Sequence, residues 1–233
     1  MLSKRTWPCL MTVVACTGCA TDTLFHDDFH ADIAGNAPSD DPAGSPSGDI
    51  FYLSGSGTQS AEVIDTPAMG GKCMQYSNAD VPVILRYAVC FSEVTPLAAD
   101  QAFRAEWTGI INLDDQGSGL EVSLGDNHYS YMAVVRFKGG AVKVKTADSP
   151  EAWTTIGNYT ENEKHYGLIE VNKAAAKYSV TIVPGGIASG WLDVLSTTAM
   201  QTSQPSLYFQ YYEDKSGSGK YLLDDLLISK VDL

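Results

Sequence analysis

The feature that most constrains this chain is alternation of apolar and polar residues with period two, repeated about a dozen times. Phe103, Ala105 and Trp107 alternate with Arg104, Glu106 and Thr108. Leu120, Val122 and Leu124 alternate with Glu121 and Ser123, and Val142 and Val144 with Lys143 and Lys145. Tyr131, Ala133, Val135 and Phe137 lead into the Gly139-Gly140 turn. Tyr178, Val180 and Ile182 follow, then Leu207, Phe209 and Tyr211, then Leu222, Leu226 and Ile228. Successive strand side chains point to opposite faces, so each run predicts a strand buried on one side. No stretch keeps a 3.6-residue period, so little helix is expected. Many short strands between Gly, Asn, Asp and Pro build a sandwich or a barrel. Of the 233 residues, 24–233 suit one large all-β antiparallel sandwich. The Pro/Gly/Ser-rich run 34–49 is then a long loop after the first strand, not a domain boundary.

The first residues read differently. Lys4 and Arg5 precede Leu10, Met11, Val13, Val14 and Ala15, and small residues follow. That is the layout of a secretory signal, too short to span a bilayer. Thr17-Gly18-Cys19 resembles the lipobox of bacterial lipoproteins, whose Cys is acylated and becomes the mature N-terminus. Val13-Val14-Ala15-Cys16 matches the same pattern, so Cys16 is the alternative to Cys19. The resemblance implies a signal peptide over 1–18, a tether over 19–23 and attachment to the membrane through acyl chains. Ala20 follows Cys19 where an inner-membrane retention Asp would stand, which points to the outer membrane.

Charge narrows the partners. The formal net charge is −13, and losing residues 1–18 removes two bases and no acid. Such a surface argues against nucleic acid, whose binders carry a basic footprint. It also leaves the membrane to the acyl chains and not to a basic patch.

Of five cysteines, Cys9 and Cys16 lie in the leader and Cys19 directly after it. Cys73 and Cys90 remain, both in strand-like runs joined by a turn near Asn78-Ala79-Asp80. Export places them in an oxidising compartment, so a Cys73–Cys90 disulfide is expected, with two buried free thiols as the other reading.

The two ends of the domain carry a further likeness. Phe25-His26-Asp27-Asp28-Phe29 and Tyr221-Leu222-Leu223-Asp224-Asp225-Leu226-Leu227-Ile228 resemble the first and last strands of concanavalin A-like and laminin G-like jelly rolls. Tyr178-Ser179-Val180-Thr181-Ile182 before Pro184-Gly185-Gly186 is similar to their late hairpin. The resemblance implies two curved antiparallel sheets, neighbouring first and last strands, and carbohydrate binding as the commonest use. It does not imply catalysis, since the same fold serves lectins, glycosidases, lyases and inert modules.

No catalytic signature appears. A glycosidase needs two carboxylates about 5–10 Å apart, and the Glu-x-Asp-x-x-Glu strand of concanavalin-like glucanases is absent. So are the Gln-x-His and Tyr-Lys-x-Gly-x-Tyr elements of related alginate lyases. Glu106 and Glu121, on the polar faces of successive strands, are the pair that could meet; solvation or pairing with Arg104 is the plainer reading. His26, Asp28 and His30 alternate as one strand face, polar or metal-binding. His128 and His165 read as loop or edge residues. Asp27 and Asp224, in phase with inward Phe25 and Leu222, would face one another across the terminal strands. Two buried carboxylates repel unless protonated, hydrogen-bonded or bridged, and a structural Ca²⁺ is the cofactor to test there.

Sugar sites combine exposed aromatic faces with a few polar groups. The ligand-binding candidates are Trp153, Tyr208, Tyr212 and Gln210, with Arg104 and Glu106. A carbohydrate-binding envelope lipoprotein is therefore the leading expectation, its partner a polysaccharide or an envelope protein. A structural or interaction lipoprotein comes next, and a polysaccharide hydrolase or lyase last.

Overall fold

The computed structural model describes residues 21–38, 50–54, 59–78, 85–90, 98, 100–112, 119–126, 130–202, 205–212 and 220–232. Cys16 and Cys19 lie outside the described residues, as do the side chains of Cys90 and Tyr212. The strands run in order β1 (Thr21–Asp27), β2 (Ile50–Ser54), β3 (Gln59–Thr66), β4 (Gly71–Asn78), β5 (Leu85–Cys90) and β6 (Gln101–Asn112). Then come β7 (Gly119–Asp126), β8 (Tyr131–Lys138), β9 (Ala141–Lys145), β10 (Trp153–Asn158) and β11 (Lys164–Asn172). Last are β12 (Lys177–Val183), β13 (Ile187–Ala188), β14 (Leu192–Asp193), β15 (Pro205–Tyr212) and β16 (Lys220–Asp232). Among the described residues the only helix is the 3₁₀ turn Ala199–Gln201. Residues 21–23, expected in the tether, already belong to β1.

These strands form an antiparallel sandwich of two sheets. One sheet is ordered β13-β12-β11-β6-β16-β4-β3, with β1 on β16 and β14 on β12; the other is β10-β9-β8-β7-β15-β5-β2. The first and last strands pair, Phe25 opposite Ile228 and Asp27 opposite Leu226. Between β8 and β9, Gly139 and Gly140 have φ of +58° and +75°. Two positive φ values make the tight hairpin whose twist suits its strands, and Gly adopts them without strain. The loop after β1 docks on β3: Gly35 N–H donates to Val63 O and Val63 N–H to Asn36 O, each at 2.8 Å.

The core is the layer between the sheets, fed by alternate positions of both. Phe103, Ala105 and Trp107 meet Val122, Val135, Val142 and Phe209, all fully buried. Trp107 meets Phe209 edge-on across the layer with ring centres 6.1 Å apart, and Phe209 stacks on Tyr221 at 6.0 Å. Opposite Trp107 in the β6–β11 register stands Gly167. A Cβ there would lie 2.2 Å from the indole, so the ring lies directly on bare backbone.

The expected disulfide is corrected. Strands β4 and β5 are not a hairpin: β4 belongs to the larger sheet and β5 to the smaller. Met74 and Tyr76 take the core side of β4, which turns Cys73 to the outer side. There it packs with Met69, Ile110, Ile64 and Leu222. Cys73 is a free, buried thiol. Burial pushes its pKa up to about 11, and a protonated thiol is a poor nucleophile. In the folded protein at pH 8, peptide mapping after thiol alkylation should find Cys73 unmodified, with full modification after denaturation. Rapid labelling of Cys73 before unfolding would contradict this burial.

Candidate functional site

The outer face of the smaller sheet carries the densest set of functional side chains. Core residues alternate with Glu121 and Ser123 on β7, Arg136 and Lys138 on β8, Lys143 and Lys145 on β9, and Tyr208 and Gln210 on β15. The register sets Gln210, Glu121, Arg136 and Lys143 in one row across four strands. Trp153, the first residue of β10, lies opposite Lys145. Arg136 Nε donates to Glu121 Oε1 at 2.7 Å, and a second guanidinium nitrogen contacts the same oxygen. The guanidinium carbon stands 3.7 Å from the centre of the Trp153 ring. Trp153 Nε1 donates to Pro150 O at 2.9 Å. The indole is thus held at its edge by a hydrogen bond and on one face by a cation. Glu121, Tyr131, Arg136, Lys145, Pro150 and Trp153 line a cleft of about 150 Å³.

The structure sorts the residues expected to bind ligand. Trp153 and half-buried Gln210 are on this face. Tyr208 is beneath it, 1% exposed, its hydroxyl donating to Asp126 O at 2.8 Å and its ring edge-on to Tyr131 at 5.8 Å. It packs the sheet and offers no platform. Arg104 and Glu106 are on the outer face of the other sheet, where Arg104 pairs with Glu170 and Glu106 accepts from the Tyr166 hydroxyl. Glu106 and Glu121 therefore do not meet. Their strands are consecutive in the chain, but β6 and β7 belong to opposite sheets.

At the terminal seam, Asp27 and Asp224 are each 4% exposed, but they do not share a face. Asp27 keeps phase with inward Phe25, opposite inward Leu226. The register of β16 slips between Asp224 and Leu227, at Asp225 with φ +50°. Tyr221 and Leu223 are therefore inward before the bulge, and Leu226 and Ile228 after it. Leu222 packs on the outer side, and Asp224, one period later, takes that side too. The expectation that Leu222 and Asp224 point inward is corrected by this bulge, which reverses alternation within one strand. Asp27 Oδ1 accepts the Phe29 N–H at 2.8 Å, while its buried Oδ2 has no partner among the described residues. The bond holds Phe29 at φ +54°, where its ring enters the core. Asp224 Oδ1 accepts the Asp225 N–H at 2.9 Å. Burial raises the pKa of Asp27 to about 7 and of Asp224 to about 6, and neighbouring acids add to both. Calcium needs six to eight oxygens. Among the described residues no group of three His, Cys, Asp or Glu stands close enough to hold an ion. The donors seen at the seam do not fit a calcium cage.

Three histidines also depart from expectation. β1 ends at Asp27, so His26, Asp28 and His30 do not form one strand face; His30 Nδ1 stands 3.3 Å from Asp28 at the surface. His165 is no edge residue. It is buried on the core side of β11, in phase with Gly167, Ile169 and Val171, and packs on Phe137 at 5.3 Å. Desolvation lowers its pKa to about 4, which keeps the imidazole neutral at physiological pH. With Tyr159 it lines a second cleft, about 190 Å³, beside Glu163 and Pro184. His165 Nε2 and the Tyr159 hydroxyl are buried without partners among the described residues. The signal for His165 was present in the sequence: it shares the parity of Ile169 and Val171.

No protein-family model matches the sequence, and no curated protein matches it. Solved structures do. Lectin UEA-II complexed with galactose is similar over 92% of this chain and 99% of its own, with TM-score 0.56 and 12% identity. Alginate lyase AlgAT5 of polysaccharide lyase family 7 is similar over 75% of this chain and 83% of its own, with TM-score 0.52 and 10% identity. A sialidase is similar over 72% of this chain, which spans only 16% of that protein, with TM-score 0.51 and 8% identity. At such identities the likeness concerns architecture alone. The chain has the jelly-roll β-sandwich fold that these lectins and polysaccharide lyases share.

Proposed function

We propose that this protein is a carbohydrate-binding module of the cell envelope, tethered by an acylated Cys19, with Cys16 as the alternative. The observation that carries the binding reading is the Trp153 indole, braced by Pro150 and Arg136 beside the polar cleft on the smaller sheet. An aromatic face fixed next to hydrogen-bonding groups suits a sugar ring, whose C–H face is apolar and whose rim is polar. The acid at the cleft, Glu121, is committed to an ion pair with Arg136. That arrangement supports binding without turnover. The lectin-like fold agrees with it, and the lipobox-like leader supports the tether.

A glycan array probed with the full chain tests this. Trp153→Ala should weaken binding of any captured glycan tenfold or more, the loss expected when a central aromatic anchor is removed. Undiminished binding by Trp153→Ala would move the site elsewhere, and turnover of a polysaccharide would replace the reading with an enzymatic one. Mass spectrometry of the mature N-terminus reads the tether; an unmodified N-terminus overturns it.

A further inference from the structure

The cleft beside His165 lies at the other end of the sandwich from Trp153. Asn158 ends β10 five residues beyond Trp153, about 17 Å along the strand. There the smaller sheet contributes Asn158 and Tyr159, and the larger sheet contributes His165 on β11, Ile182 on β12 and Pro184 just after it. Tyr159 and His165 both pack on Phe137, with ring centres 5.4 Å and 5.3 Å away, so the core fixes both rings. His165 is 5% exposed. Its Nε2 and the Tyr159 hydroxyl have no partner among the described residues. Buried polar atoms of native proteins almost always find a partner, and the cleft is where one can enter.

The two atoms ask for different things. The His165 ring donates to the Glu163 carbonyl, and burial keeps it neutral. A neutral imidazole that donates through one nitrogen presents a lone pair at the other, so Nε2 is an acceptor. The Gly140 N–H approaches the Tyr159 oxygen without closing a bond, which leaves the phenol proton to be donated. A carboxylate or sulfate has no proton for Nε2, and an ammonium has no lone pair for Tyr159. A hydroxyl has both. Exposed Glu163 is the one charged side chain in the wall; it accepts from further hydroxyls and repels anions. Its neighbour Lys164 is turned to the Met69 carbonyl, 2.7 Å away. Ile182 and Pro184 supply apolar surface. The cleft measures about 190 Å³. A cavity of about 150 Å³ holds benzene, so this one takes a single substituted six-membered ring.

We infer that this cleft is a second binding site, separate from the Trp153 face, and that it takes one neutral hydroxylated ring, a monosaccharide unit or a cyclic polyol. Ring hydroxyls donate to His165 Nε2 and accept from Tyr159, and the C–H face of the ring lies on Ile182 and Pro184. The site goes beyond the reading above and stands whether or not Trp153 binds a glycan. Its position also separates it from the tether. The row Thr21, Val231, Ala102 and Asn172 sets the start of β1 at the far end of β11 from His165, about 24 Å away. In a tethered protein the cleft faces away from the membrane.

The experiment titrates the ¹⁵N-labelled full chain at neutral pH with glucose, galactose, mannose and myo-inositol, and with glucuronate and galacturonate as charged counterparts. A neutral probe should move one imidazole Nε2 resonance saturably, and His165→Gln, which removes that resonance, assigns it. Tyr159→Phe keeps the ring on Phe137 and loses only the hydroxyl; it should weaken binding about fivefold or more, the share of one hydrogen bond. Each uronate should bind about fivefold or more weakly than its parent sugar. Glu163→Gln, at an exposed position, should narrow that gap. No saturable shift at His165 with any neutral probe would overturn the inference and leave the cleft to water. Full affinity in Tyr159→Phe, or a uronate held as tightly as its parent sugar, would overturn the assigned ligand chemistry. Movement of the Trp153 indole resonance alone would uphold carbohydrate binding on the other face while overturning this second site. Movement at His165 alone would uphold the second site while counting against the first.

Discussion

Raising the pH from 5 to 8 should lower the melting temperature by roughly 6–12 °C, an effect of about 3 kcal/mol at 2–4 °C per kcal/mol for a chain of this size. The cause is the pair of buried acids at the terminal seam. Burial lifts Asp27 from 3.8 to about 7 and Asp224 from 3.8 to about 6. A carboxyl with a raised folded-state pKa holds its proton more tightly when folded than when unfolded. Its contribution is complete below the unfolded value near 3.8, and is lost as pH climbs through the folded values near 6 and 7. Thermal melts across this window read the slope. Self-repulsion of an acidic chain also grows with pH, so a variant isolates the seam. Asp27→Asn keeps an acceptor for the Phe29 N–H but cannot ionise; it should flatten much of the slope and melt higher than the parent at pH 8. A parental slope that is flat or opposite, or an unchanged slope in Asp27→Asn, would refute the assignment. The same melts read calcium. The donors at the seam lead us to expect superimposable curves in Ca²⁺ and in chelator at pH 8; a rise with Ca²⁺ that Asp27→Asn abolishes would show a bound ion instead.

Trp107→Ala should cost about 3–5 kcal/mol, the usual range for deleting a large buried ring, and lower the melting temperature by roughly 10 °C or more. The ring is fully buried, joins both sheets through Phe209 and rests on Gly167. From the other side, Gly167→Val drives a side chain into the indole and should cost about 1–3 kcal/mol or more through overpacking. The two changes should not add. With the indole gone, valine has room, so the double variant should be more stable than the sum of the singles implies. Strict additivity would mean that the two residues do not touch in solution.

Alternation alone marks which segments are strands and, for most, which side is buried. Phe103 to Trp107, Leu120 to Leu124, Val142 to Val144 and Tyr178 to Ile182 keep the parity that alternation implies, because strand side chains have a period of two whatever the strand pairs with. Gly139-Gly140 announced its hairpin because its backbone needs positive φ. Tertiary structure alone decided which strands are partners, since period two says nothing about the sheet to which a strand belongs. Hence the sequence brings Cys73 and Cys90 together though β4 and β5 are in different sheets, and sets Arg104 and Glu106 beside Trp153 though two sheets lie between them. It also decided the faces around Asp224, where one bulge in β16 inverts the parity of Leu222 without a residue type that announces it. The candidate site was half legible for the same reason. Trp153 and Gln210 were readable as outward, but the row through Glu121, Arg136 and Lys143 exists only once register sets four strands side by side.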